Sequence, residues 1–210
     1  MKPSLRARLA FVVVAALGAG VASAATGQQL FAQCVACHGA KGEGNPAVGA
    51  PAIAGQHVAY LQRQLRNFRA GVRGTRPGDT QGAQMRGIAA TLPNDAAIVA
   101  VTTYVSGLAK TVQKPAAGAN LKNGNNLYQG KCAACHGTKA EGNVALSTPR
   151  LAGLDATYLR RQFQHFTSGL RGTDPKDTYG RQMGMMAKMV ETPKDLEDVI
   201  AYIHTQGGAP

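Results

Sequence analysis

Apolar positions first gather in a run over residues 9–22, behind the cations Lys2, Arg6 and Arg8. The run is shorter than the ~18 apolar residues of a membrane-spanning helix, and Ala22-Ser23-Ala24 ends it in the small-residue pattern of a signal-peptidase site. Residues 1–24 are therefore predicted to be an export signal, with Ala25 the first mature residue; a retained anchor is the competing reading. Beyond it, Tyr60, Leu61, Leu65 and Phe68 fall on one stripe of an amphipathic helix predicted over 57–70, and a similar helix is predicted over 155–168. Residues 27–37 and 124–135 read as an earlier helix in each half, with Gly27 and Phe31 echoed by Gly124 and Tyr128. Asp95–Ser106 and Pro193–Thr205 follow Asn- and Thr-type start signals and close the two halves. Gly-rich loops lie between, and no period-2 strand pattern appears. The predicted fold class is all-α, irregular and loop-rich.

Sliding the chain against itself gives one dominant offset, 98 residues, gapless over 34–104, with 31 of the 71 aligned positions identical. Glu43-Gly44-Asn45 matches Glu141-Gly142-Asn143, Arg73-Gly74-Thr75 matches Arg171-Gly172-Thr173, and Gln84-Met85 matches Gln182-Met183. So long a period is a duplicated domain, not a solenoid unit. The organisation expected is a first domain at 25–109, a linker at 110–122 containing Pro115, and a second domain at 123–210.

The repeat also sets the chemistry. Cys34-Val35-Ala36-Cys37-His38 and Cys132-Ala133-Ala134-Cys135-His136 occupy the same register. Four cysteines in an exported chain first suggest two disulfides, yet the three-residue spacing and the adjoining His argue otherwise. A thioredoxin-like pair would want a βαβ setting, which is missing. A zinc centre would need four convergent ligands per half where three are offered. Covalent c-type haem attachment uses all three side chains: two thiols one helical turn apart bond the vinyl groups, and the adjacent imidazole turns onto the iron. Two covalently bound c-type haems are therefore expected, anchored by Cys34, Cys37, Cys132 and Cys135.

The second axial ligand separates a carrier from a catalyst, because carriers fill both axial positions of the iron. Met85 is the one Met of the first half after the export signal, and is read as lying in a loop before the last helix. The second half offers Met183, Met185, Met186 and Met189, and the offset selects Met183; the other three are read as core gap-fillers. His57, His165 and His204 have no counterparts in the other copy and are read as surface or helix residues, leaving bis-histidine ligation as the minority reading. A ligating imidazole normally donates its second N–H to a fixed acceptor. The carbonyls of Pro51 and Pro149, thirteen residues past each His, are the candidates.

Composition agrees. With 44% hydrophobic and 16% charged residues the chain is not disordered, but 5% aromatics and no Trp are too few for two cores, a shortage that a macrocycle fills. The formal charge of +12, or +9 without the three N-terminal cations, suggests an anionic partner or surface. Arg63, Arg66, Arg69, Arg73 and Arg76 form a series that is either a solvated helix face or a set of partners for haem propionates and acidic surfaces.

On its paired motifs, repeat and Met residues, with Pro51-Ala52-Ile53-Ala54-Gly55 and Pro149-Arg150-Leu151-Ala152-Gly153 as Pro loops behind the histidines, the chain resembles the cytochrome c4 family over residues 25–210. The resemblance implies tandem class I cytochrome c folds, His38 and Met85 on the first iron, His136 and Met183 on the second, and two haems facing each other across a pseudo-twofold interface. It implies a periplasmic carrier without a small-molecule substrate, passing single electrons from a quinol-oxidising cytochrome bc complex to a terminal haem-copper oxidase. Peripheral membrane association is left open, and nucleic acid is not an expected partner. The alternatives are a cytochrome subunit of a periplasmic dehydrogenase and a dihaem peroxidase.

Overall fold

A computed structural model describes residues 25–207, so the export signal predicted at 1–24 lies outside the described residues. A reciprocal capping box between Thr26 and Gln29 starts α1 (Gly27–Phe31). A 3₁₀ turn (Ala32–Cys34) then leads into the single turn α2 (Val35–His38). The continuous helix predicted over 27–37 is thus broken, by the tighter winding common at helix ends. Further on come α3 (Val58–Arg69), α4 (Thr80–Ala90) and α5 (Asp95–Ser106), the last capped by Asn94. The second half repeats this order in α6 (Leu121–Lys131), α7 (Ala133–His136), α8 (Ala156–Ser168), α9 (Thr178–Ala187) and α10 (Pro193–Thr205). Helix α6 starts earlier than predicted because Asn120 caps it through Asn123 N, so it takes in Leu121 and Lys122 of the stretch read as a linker. Among the described residues there is no strand, only isolated bridges at Asn45–Ala50 and Asn143–Thr148.

The sequence pattern predicts loops where α4 and α9 form. Gly82 and Gly87 in one and Gly180 and Gly184 in the other lower helix propensity. Both helices form because Asp79 and Asp177 accept the Gly82 and Gly180 amides, each at 2.9 Å.

In each half the first helix crosses the last, α1 on α5 and α6 on α10. The crossings are close because Gly27 faces the Ala100 carbonyl and Gly124 the Asp198 carbonyl, with no room for a Cβ at either. Rings pack beside both: Phe31 with Tyr104 at 5.5 Å between centroids, and Tyr128 with Tyr202 at 5.4 Å. Phe31, Leu61, Leu92, Ile98, Val101 and Val105 form the first core; Tyr128, Ala133, Ala140, Ala152, Val199 and Ile203 form the second.

The halves meet along α3, α8 and the loops beside them, in part through bonds that obey the 98-residue offset. Arg63 donates to the Ser147 carbonyl at 2.7 Å, and Arg161 donates to the Gly49 carbonyl at 2.5 Å. Gln56 grips the backbone of Arg150 twice, donating Nε2 to its carbonyl at 2.9 Å and accepting its amide at 2.8 Å. Gln56 is itself buried. Gln56→Leu leaves both backbone groups without that partner, and an unmet buried polar group costs about 1–3 kcal/mol. The expected outcome is that denaturant unfolding of the two halves separates into two transitions; one unchanged transition counts against this clasp.

Candidate functional site

Each Cys-x-x-Cys-His motif ends on a helical turn that buries its His and leaves its second Cys at the surface. His38 and His136 are 5% and 8% exposed, while Cys37 and Cys135 are exposed and Cys34 and Cys132 half-buried. The four cysteines form no disulfide. Burial, and then the neighbouring Cys37, push the Cys34 thiol up to about 11. Burial likewise takes the Cys132 thiol to about 11. Among the described residues no three His, Cys, Asp or Glu side chains converge as a metal site.

The Pro loops hold the two rings as expected. His38 donates Nδ1–H to the Pro51 carbonyl at 2.8 Å and His136 donates to the Pro149 carbonyl at 3.0 Å. A carbonyl only accepts, so Nδ1 carries the proton and Nε2 keeps its lone pair free for a metal. Burial lowers the pKa of both rings, which favours the neutral, ligating form.

In the second half a cleft encloses about 1360 Å³ between atoms, including its part open to solvent. Cys132, Cys135, His136 and Pro149 line one side of it, and Met183 and Met186 also reach it. Tyr60, Arg63 and Gln64 of the first half also line it, so the cleft is completed across the seam.

The methionines differ from expectation in two ways. Met85 and Met183 stand on α4 and α9, not in loops, and both are half-buried. A helical mounting fixes each side chain more firmly than a loop would. Met185, Met186 and Met189 are 66%, 37% and 44% exposed, so they are not core fillers. They lie at and just beyond the end of α9, Met186 also reaching the cleft, and the Met189 carbonyl accepts the Lys131 ammonium at 2.6 Å.

Of the unrepeated histidines, read as surface or helix residues, His165 stands on α8 and His204 on α10, but both are buried. His204 is buried between the carbonyls of Lys114 and Leu154, at 3.2 and 2.9 Å. His165 is buried, 3.7 Å from Asp79 across the seam. His57 donates Nε2–H to the Glu141 carbonyl at 2.8 Å. These three tie segments together, a role for which the sequence carries no local signal.

The arginine series divides. Arg66 and Arg69 pair with Asp95 at the surface, where such pairs contribute little. Arg76 reaches Thr173 at 3.0 Å. Arg73 is 9% exposed and its repeat partner Arg171 8%, with the guanidinium carbons 4.5 Å from the rings of Phe68 and Phe166. The Nε groups of Arg63, Arg73, Arg161 and Arg171 are all buried without a hydrogen-bond partner. Native proteins leave few such donors unmatched. Two symmetric pairs of orphaned cationic donors, two of them on the cleft wall, fit a cofactor with carboxylate arms, as haem has in its propionates.

Paired thiols, one half-buried and one at the surface in each motif, a neutral imidazole aimed inward, a cleft beside one motif and unmatched guanidiniums define a c-type cytochrome with two covalently bound haems. The chain belongs to the cytochrome c4 family: the cytochrome c domain pattern matches residues 24–109 and again 121–207. It is 31% identical over 219 residues to cytochrome c4 of Azotobacter vinelandii, covering 97% of this chain and 98% of that one. It is 38% identical to a thiosulfate dehydrogenase electron acceptor of Thiomonas intermedia, over 78% of each chain. The crystal structure of reduced recombinant cytochrome c4 from Pseudomonas stutzeri superimposes with a TM-score of 0.69 and 30% identity, over 85% of this chain and 95% of that one. The protein is a dihaem electron carrier.

Proposed function

We propose that this carrier works in the periplasm, taking single electrons from a quinol-oxidising cytochrome bc complex and passing them to a terminal haem-copper oxidase. His38 and Met85 would hold the first haem iron, and His136 and Met183 the second. The observation that carries the reading is the matched pair of Nδ1–H bonds to Pro51 and Pro149, with a Met at one register on a helix in each half. A ligand set filled from both sides suits electron transfer more than substrate binding.

The haem supplies a one-electron iron couple. Pro51 and Pro149 hold the imidazoles in one tautomer and one orientation, so the ligands need not rearrange when the charge changes. The neutral Met thioethers favour the reduced state and a high potential. Leu154, Leu159, Phe163 and Phe166 give the cleft of the second half apolar walls, which lower the local dielectric around whatever it holds. A dihaem peroxidase would need an open axial position in one half, whereas both copies keep Met.

The identity to a dehydrogenase electron acceptor favours a second donor, a periplasmic dehydrogenase. The donors separate kinetically: the proposal expects faster reduction by the purified bc complex than by a dehydrogenase, and the reverse order selects the second reading. Coordination is checked on the untreated holoprotein. Carbon monoxide is expected to leave the reduced spectrum unchanged, and rapid binding at either centre overturns the carrier mechanism. Export is read by N-terminal sequencing of periplasmic protein, with Ala25 the expected first residue and Met1 the result that refutes cleavage.

A further inference from the structure

At the seam between the halves, Gln64 and Gln162 hold the two buried arginines in a crossed arrangement. Gln64 Oε1 accepts from Arg73 of its own half at 2.5 Å and from Arg171 of the other at 3.0 Å. Gln162 Oε1 accepts from Arg171 at 2.7 Å and from Arg73 at 2.8 Å. All four residues are more than nine-tenths buried, and the pattern is closed under the 98-residue offset. Arg171 also donates to the Tyr60 hydroxyl at 3.4 Å. The partners of these guanidiniums are thus neutral oxygens, although two like charges share one buried seam. Each arginine keeps a buried Nε–H with nothing to donate to. Buried cations without an anion are costly, and Gln64, Gln162 and Arg171 all border the cleft of the second half.

We propose that Gln64 and Gln162 are positioning residues for communication between the two haems: each glutamine ties both guanidiniums together while the orphaned Nε–H groups of Arg73 and Arg171 meet haem propionates, so that a charge change at one centre is felt at the other. This rests on the haem-carrier reading of both halves. The physical basis is a short, dry, polarisable link. Oxidising one centre weakens the pull of its carboxylate on the nearest guanidinium, and that guanidinium leans on the glutamine that also holds its twin. In a low-dielectric seam such a shift is not screened as it would be at the surface.

The test uses the mature protein with both haems bound. Spectroelectrochemical titration resolves the two centres and reads how far oxidation of one changes the reduction equilibrium constant of the other. Coupling between linked sites is commonly at least about fivefold, and that is the expected native value. Gln64→Met keeps a side chain of similar length without the acceptor. It should bring the coupling close to onefold and move both potentials, while Gln62→Met, two residues before Gln64 on α3 and outside the quartet, leaves both unchanged. Native coupling in Gln64→Met, or a shift confined to the first-half centre, overturns the proposal. Should Gln64→Met fail to load both haems, Gln64→Glu places a negative charge on the same atoms and should disfavour reduction at both centres; an effect on one alone again overturns it. Failure of the underlying reading looks different, since the native protein would then lack two reversible one-electron transitions.

Discussion

Met183→Leu should abolish half of the Met-to-iron charge-transfer absorption, lower the potential of the second centre and open it to carbon monoxide. Leucine nearly matches the volume of methionine and has no lone pair, so the variant keeps the packing of α9 while removing the ligand. The potential drop should be a few tenths of a volt, within the roughly 0.8 V range that axial ligation spans. The nearest rival is Met186, which also reaches the cleft. Two observations favour Met183. It shares its register with Met85, the one methionine of the first half after residue 24, and it is half-buried where Met186 is 37% exposed. Met186→Leu and Met185→Leu should therefore leave the absorption whole. Full absorption in Met183→Leu combined with half in Met186→Leu reverses the ligand assignment.

The sequence was informative where chemistry is local. Cys-x-x-Cys-His places thiols and imidazole on one turn, and a Pro thirteen residues later puts its carbonyl against the ring in both copies. Helices with a clear apolar stripe or a strong cap were located to within a residue or so: Asp95–Ser106 and Pro193–Thr205 occur as expected, and α3 and α8 nearly so. What escaped depends on tertiary partners. Helices α4 and α9 contain glycines that read as loop, because the benefit of those glycines lies in another segment: the loop glycines Gly74 and Gly172 lie directly against the Gly82 and Gly180 carbonyls. The exposure of Met185, Met186 and Met189 and the burial of His165 and His204 likewise depend on which face each helix turns inward. The seam was the least legible part. Gln56, Gln64 and Gln162 carry no motif, and only the folded chain shows that they join the halves.

Gly124→Ala should destabilise the second half by about 3–5 kcal/mol, at the severe end for one substitution. A Cβ there would press into the Asp198 carbonyl, far closer than van der Waals contact allows. Helix α6 cannot simply move away, because the Asp198 carboxylate accepts the Asn120 amide at 2.9 Å and the Asn123 side chain at 3.0 Å, and it is 1% exposed. Overpacking costs about 1–3 kcal/mol, and loosening a buried charged acceptor adds on the order of 1–3 kcal/mol. Gly130, six residues along the same helix, is exposed and has nothing within 4 Å of its would-be Cβ. Gly130→Ala should instead stabilise by about 1 kcal/mol, the ordinary helix-propensity gain. Because the haem remains attached through thioethers after unfolding, loss of Met ligation in denaturant reports each half separately. Opposite shifts of the second-half midpoint, with the first half nearly unmoved, are the expected result. A neutral or stabilising Gly124→Ala shows instead that the α6–α10 crossing has slack, and that the glycine repeated at Gly27 is not there to let the helices touch.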